Sequence, residues 1–202
     1  MNPNQIKTKT DLHNSLAGFG YKIGVEVGSY RGDGAESLLL ESALERVFTI
    51  DYWNHSRKSD LSNFEDYLHC TAKLFKYGMR CVPLKMEACE AANLFKDGSV
   101  CYVYIDAGLE YDEYLLAIET WWPKVKRGGM IAGRLFDWVI LSKQMIETDA
   151  SIKAVEFFSK SICDKFSVIA DRLVPDAADL DNFKGSRSWY VTKKCSNTSF
   201  SL

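Results

Sequence analysis

The sequence lacks any strong excess of one charge. Its 25 Lys and Arg stand against 27 Asp and Glu, a net charge of -2 over 202 residues. A chain so balanced has no global basic field to draw in a polyanion, which argues against nucleic acid as a partner. The short run Lys124-Val125-Lys126-Arg127 sits among acids and reads as a solvated helix end. No apolar run approaches the roughly 18 residues of a membrane span, so no membrane partner is expected. The opening MNPNQIKTKTDLHN lacks the apolar core of a secretory signal. The cysteines at 70, 81, 89, 101, 163 and 195 include no CxxC pair and no His at zinc-ligand spacing. A cytoplasmic protein with free thiols is therefore expected. Histidine is scarce, with only His13, His55 and His69. There is no internal repeat.

What the chain does have is an alternation of short apolar runs with longer amphipathic stretches. That alternation predicts a largely parallel sheet covered by helices, within one domain over residues 1–202. Residues 1–20 read as a helical extension and 196–202 as a frayed tail. Strands are expected over Lys22–Val27, Arg46–Ile50, Cys81–Leu84, Ser99–Ile105, Met130–Ala132, Phe166–Ala170 and Ser188–Thr192. Helices are expected over Ile6–Phe19, Ala35–Leu44, Asn63–Tyr77, Ala88–Phe95, Tyr111–Trp122, Ile140–Thr148 and Ile152–Lys160. Pro123 and then Gly128-Gly129 are expected to close the helix that begins at Tyr111.

Three polar features fall at the C-terminal ends of expected parallel strands, the edge where open α/β sheets bind ligands. The first is Glu26-Val27-Gly28-Ser29-Tyr30-Arg31-Gly32. Its glycines let the backbone turn sharply and approach a ligand closely. Their spacing is G-x-x-x-G, not the G-x-G-x-x-G of dinucleotide binders. A carboxylate at Glu26 repels phosphate and attracts an ammonium or sulfonium. The second feature is Asp51, 25 residues beyond Glu26, at a position suited to ribose hydroxyls or to a simple turn. The third is Asp106, after SVCYVYI, a candidate base, metal ligand or turn cap.

Together these segments resemble class I S-adenosylmethionine-dependent methyltransferases, and closely the methyltransferase domain 24 family. The likeness is carried by VEVGSYRGDGAESLL, VFTIDYW, EAANLFKDGSVCYVYIDAG and YDEYLLAIETWWPKVKRGGMIAG, with SWYVTKK similar to the family's terminal strand. The resemblance implies an α/β fold: a Rossmann-like, mostly parallel seven-stranded sheet with helices on both faces. It implies S-adenosylmethionine as cofactor. Glu26 and Gly28, with Ser29, Tyr30 and Gly32 of the same turn, would lie by the methionine moiety. Asp51 would bind the ribose, with Tyr52 and Trp53 nearby, and Met86 and Glu87 would lie along the adenine. Asp106 would border the same pocket.

The departures are equally specific. Leu109 stands where the family has a His, and Gly133-Arg134-Leu135-Phe136 replaces its Gly-His-Asp-Tyr. A His-based metal site is therefore not expected, and no metal is assigned. Asp106, Glu110, Tyr111 and Asp137 are the remaining candidates for acid–base work. His55 follows Asp51-Tyr52-Trp53-Asn54, but nothing nearby in sequence orients it. Arg134 could dock an anionic substrate or form a surface ion pair. The expected activity is methyl transfer to a small hydroxylated acceptor, at oxygen, with a homodimer allowed. The alternative is a cofactor-binding domain that has lost turnover and serves a regulatory or scaffold role. A nicotinamide oxidoreductase is disfavoured by the glycine spacing.

Overall fold

The computed structural model describes residues 6–18, 22–54, 59–107, 110–135, 138–141, 144–147, 150–170 and 187–194, with backbone alone for 138–141 and 144–147. Its strands are β1 (Ile23–Val27), β2 (Arg46–Asp51), β3 (Cys81–Lys85), β4 (Val100–Ile105), β5 (Val125–Leu135), β6 (Trp138–Leu141), β7 (Gln144–Glu147), β8 (Ser167–Ala170) and β9 (Arg187–Thr192). Its helices are α1 (Lys9–Ser15), α2 (Asp33–Glu41), α3 (Asp60–Leu74), α4 (Ala88–Ala92), α5 (Tyr111–Trp121) and α6 (Ala150–Ser161).

Seven strands form one sheet in the order β3-β2-β1-β4-β5-β9-β8. Strands β1 to β5 run parallel, while β9 pairs antiparallel with both β5 and β8. The chain steps outward from β1 to β3 and then returns to place β4 beside β1. The reversal leaves a crevice above the C-terminal ends of β1 and β4. Pro83 is tolerated because β3 is the edge strand and need not donate to an outer neighbour.

Alternating side chains split the core in two. Val25, Val27, Val103 and Ile105 pack against α4, α5 and α6 through Ala91, Ile118, Trp121 and Phe158. The opposite face packs on α1, α2 and α3 through Leu12, Leu38, Leu39, Cys70 and Leu74. The N-terminal extension is thus part of the core: Leu12 and Leu16 are fully buried. A capping box between Thr8 and Asp11 starts α1. The described cysteines are free thiols. No described helix is long and apolar enough to cross a membrane.

Three local expectations are corrected. Ile140–Thr148 is not a helix: Trp138–Leu141 and Gln144–Glu147 form a separate antiparallel hairpin. The aromatic and β-branched run Trp138-Val139-Ile140 favours strand, and its apolar run is too short for helical periodicity to decide. Gly128-Gly129 does not close α5, which passes instead into a single tight turn at Trp122–Lys124 around Pro123. The two glycines lie inside β5, where the register to β4 slips between Val100 and Tyr102. Lys126 and Arg127 therefore belong to a strand, not to a helix end.

Candidate active site

The glycine turn grows directly out of β1. Gly28 donates its N–H to Ile50 O at 2.8 Å, and Asp106 donates its N–H to Val27 O at 2.7 Å. The turn is thereby stitched to β2 on one side and to the end of β4 on the other. Gly28 has φ +92°, and a Cβ there would collide with the Asp106 carbonyl and lie 2.9 Å from Ala107 Cβ. Only glycine brings the two strand ends this close. Gly32, at φ +83°, then caps α2.

Asp51 holds the turn in shape. Its Oδ2 accepts the Tyr30 N–H at 2.8 Å, and its Oδ1 accepts the Trp53 N–H at 2.7 Å. Tyr30 is held at φ +46° and Trp53 at φ +47°, both costly for side-chain-bearing residues. Trp53 completes the brace by donating Nε1–H to the Tyr30 carbonyl at 2.7 Å. Its ring is 2% exposed and stacks edge-on with Tyr67. Trp53 thus turns its ring into the core while its backbone stays beside Asp51. Tyr52 and Tyr30, by contrast, are exposed.

Glu26 is buried at the root of the turn. It is 3% exposed, and its Oε2 accepts a hydrogen bond from the Thr49 hydroxyl at 2.9 Å, which in turn contacts the Ser29 hydroxyl. Oε1 lies where a Cβ on Gly34 would stand, against the first turn of α2. Burial pushes its pKa up from 4.5 to about 8, partly offset by Lys9 and the Thr49 hydrogen bond. A nearby cation would restore its charge. Arg31 leaves the turn in the other direction and meets the fully buried Asp66 of α3 at 2.7 Å.

Across the crevice, the ends of β4 and β5 carry an ion pair between Arg134 Nη2 and Asp106 Oδ2 at 3.0 Å. Arg134 therefore occupies the departed His position as the counter-ion of Asp106. Its carbonyl accepts a hydrogen bond from the Tyr114 hydroxyl at 2.6 Å, and that hydroxyl accepts one from Trp189 Nε1 at 2.8 Å. Gly133 makes room for this brace, since a Cβ there would lie 2.5 Å from the Tyr114 hydroxyl. Burial raises the Tyr114 pKa well above 10, so it acts as a hydrogen-bonding post.

The other candidates are placed less centrally. Glu110 is exposed at the start of α5, and Tyr111 packs partly buried against the core. Met86 donates its N–H to the Asp51 carbonyl at 3.1 Å. Glu87 caps α4 by accepting the N–H groups of Cys89 and Glu90 at 2.7 and 3.0 Å. Asp137, His55 and Leu109 lie outside the described residues. Burial pushes the Cys70 and Cys81 thiols up to about 12, too high for nucleophiles.

The residues present fit an adenosine-bearing cation. A backbone turn with no room for Cβ, a buried acid whose charge a cation would restore, and a strand-end aspartate converge on one sheet edge. The model of a methyltransferase domain family matches residues 25–133. No curated protein matches the sequence. Solved structures match most of the chain at low identity. An rRNA methylase from Streptococcus thermophilus has a TM-score of 0.61 at 13% identity, covering 92% of this chain and 94% of its own. A Streptococcus mutans protein, assigned as a methyltransferase and solved with S-adenosylhomocysteine, has a TM-score of 0.59 at 14% identity, with 92% and 97% coverage. A Staphylococcus aureus protein assigned as a caffeoyl-CoA O-methyltransferase has a TM-score of 0.57 at 15% identity, with 85% and 76% coverage. At these identities the likeness is one of fold.

Proposed function

This chain belongs to the methyltransferase domain family and is an S-adenosylmethionine-dependent methyltransferase, and from that premise we propose that it methylates an oxygen of a small hydroxylated acceptor, a sugar or related metabolite. The observation that carries this reading is the position of Asp106. Its backbone touches Gly28, and its carboxylate is held by Arg134 at the C-terminal edge of the sheet. The balanced charge of the chain supports a small acceptor over RNA.

Gly28, Ser29, Tyr30 and Gly32 present the turn to the methionine moiety, and Glu26 meets its positive charge from below. Asp51 accepts the ribose hydroxyls beside Tyr52, and Met86 and Glu87 border the adenine. Bound S-adenosylmethionine supplies a methyl group already activated by its sulfonium. The chain aligns an acceptor hydroxyl in line with that methyl and takes its proton onto the Asp106 carboxylate. The new O–C bond forms as the C–S bond breaks. Glu110 and Tyr111, at the start of α5, line the approach.

Calorimetry with S-adenosylmethionine and S-adenosylhomocysteine tests the cofactor site, with Asp51→Ala weakening both about tenfold or more. A screen of hydroxylated acceptors, read as S-adenosylhomocysteine released, tests the chemistry. The reading fails if neither cofactor form binds at millimolar concentration. It fails in its acceptor if only nucleic acid is methylated.

A further inference from the structure

We propose that the outer face of α3 is a self-complementary seam that pairs two copies of this chain antiparallel about a two-fold axis near residue 70. The inner face of α3 is spoken for: Asn63, Asp66, Cys70 and Leu74 are buried. The outer face carries large apolar side chains that the fold leaves in water. Leu61 is 68% exposed, Phe64 49%, Leu68 48%, Phe75 86% and Met79 77%. Leu61, Phe64, Leu68 and Phe75 recur at helical steps of three, four and seven residues, so they line one narrow stripe. The stripe runs from α3 into the tight turns of Phe75–Arg80.

The order of residues along this face reads nearly the same backwards with opposite charge. Leu61 pairs with Met79 and Leu68 with Ala72 about position 70, and Phe64 pairs with Phe75 and the acid Glu65 with the base Lys76 about centres half a residue to either side of it. A two-fold axis there sets apolar against apolar and Glu65 against Lys76 of the second copy. An isologous interface requires such self-complementarity, and a different partner does not. Lys76 already contacts Glu36 at 2.6 Å yet remains 63% exposed, so it can bridge two acids. The five apolar side chains expose on the order of 600 Å² per copy, most of the ~800 Å² that each partner contributes to a standard interface. Such a patch stands at the upper end of what a monomer ordinarily leaves in water.

The pairing bears on the site without resting on the acceptor. Asp66 and Tyr67 on the inner side of α3 hold Arg31 and Trp53 of the cofactor turn. A second copy pressed on the outer side would steady the helix that steadies the turn.

Sedimentation equilibrium and light scattering on the full chain test this. The wild type is expected to be dimeric at tens of micromolar. Phe64→Glu and Leu68→Glu are expected to be monomeric with unchanged circular dichroism, since both side chains are exposed. Glu65→Lys should weaken the dimer about tenfold by placing like charges together, and Glu65→Lys with Lys76→Glu should recover it. A monomeric wild type overturns the proposal. So does a dimer that survives Phe64→Glu, or a double charge reversal that does not restore pairing.

Discussion

Arg134 Nη2 lies 3.0 Å from Asp106 Oδ2, joining the ends of β4 and β5 across the mouth of the crevice. The two side chains answer each other across the C-terminal edge of the sheet. Asp106 keeps 17% of its side chain exposed and Arg134 keeps 40%, so the pair is open to an incoming molecule.

If Asp106 takes the acceptor proton, Asp106→Asn lowers kcat by about two to four orders of magnitude while cofactor affinity changes little. Arg134→Met should destabilise the fold by about 1 kcal/mol, because the half-exposed pair is partly screened. In urea unfolding, Asp106→Asn with Arg134→Met should cost less than the two single changes added. Strict additivity would show that the two side chains do not interact in solution.

The contact of Glu26 with the first turn of α2 predicts a specific rescue. Gly34→Ala puts a methyl group where Glu26 Oε1 stands, and should cost several kcal/mol and most cofactor binding. In a Glu26→Ala background the same change meets no carboxylate and should cost under about 1 kcal/mol. Equal costs in both backgrounds would refute the contact.

Glu26 also makes stability depend on pH. An unfolded carboxyl titrates near 4.5, and the folded one is raised to about 8. Between those values the folded state holds a proton that the unfolded state has lost. Stability from this group is therefore full at the acid end and falls as pH rises, by up to about 1.4 kcal/mol per pH unit, levelling off past the folded value. Glu26→Gln should remove that slope. Parallel wild-type and variant profiles across the window would rule out a buried, protonated Glu26.

Trp53→Phe keeps the buried ring but deletes the bond to the Tyr30 carbonyl. Loss of that bond should cost about 1–2 kcal/mol and weaken S-adenosylhomocysteine binding several-fold by loosening the turn. An unchanged dissociation constant would mean that the turn does not need its brace.

Much of the frame was legible from strand periodicity and turn residues. The strands expected to end at Val27, Ile50 and Ile105 are present, and that is why Asp51 and Asp106 stand at the C-terminal edge of the sheet. The hairpin over β6 and β7 was misread because four-residue apolar runs carry no decisive period. The braces were harder to see. Ser29 and Thr49 are 20 residues apart, Arg31 and Asp66 are 35, and Tyr114 and Trp189 are 75. Such partners leave no local pattern; only a polar Thr49 at a buried strand position hinted that something inside required it.

The bond from Trp189 to Tyr114 has a consequence for the order of assembly. A chain made from its N-terminus has already produced the glycine turn, Asp51, Asp106 and Arg134 before β9 exists. Until β9 arrives, β5 is an open edge and the post that fixes the Arg134 carbonyl lacks its donor. Pairing β9 with β5 joins residues 52 (Leu135 with Arg187) to 62 (Met130 with Thr192) positions apart, a non-local contact of high loop-closure cost. The nascent chain thus carries β1 to β5 and the polar residues of their C-terminal edge before the antiparallel strand that slots between β5 and β8 has been made.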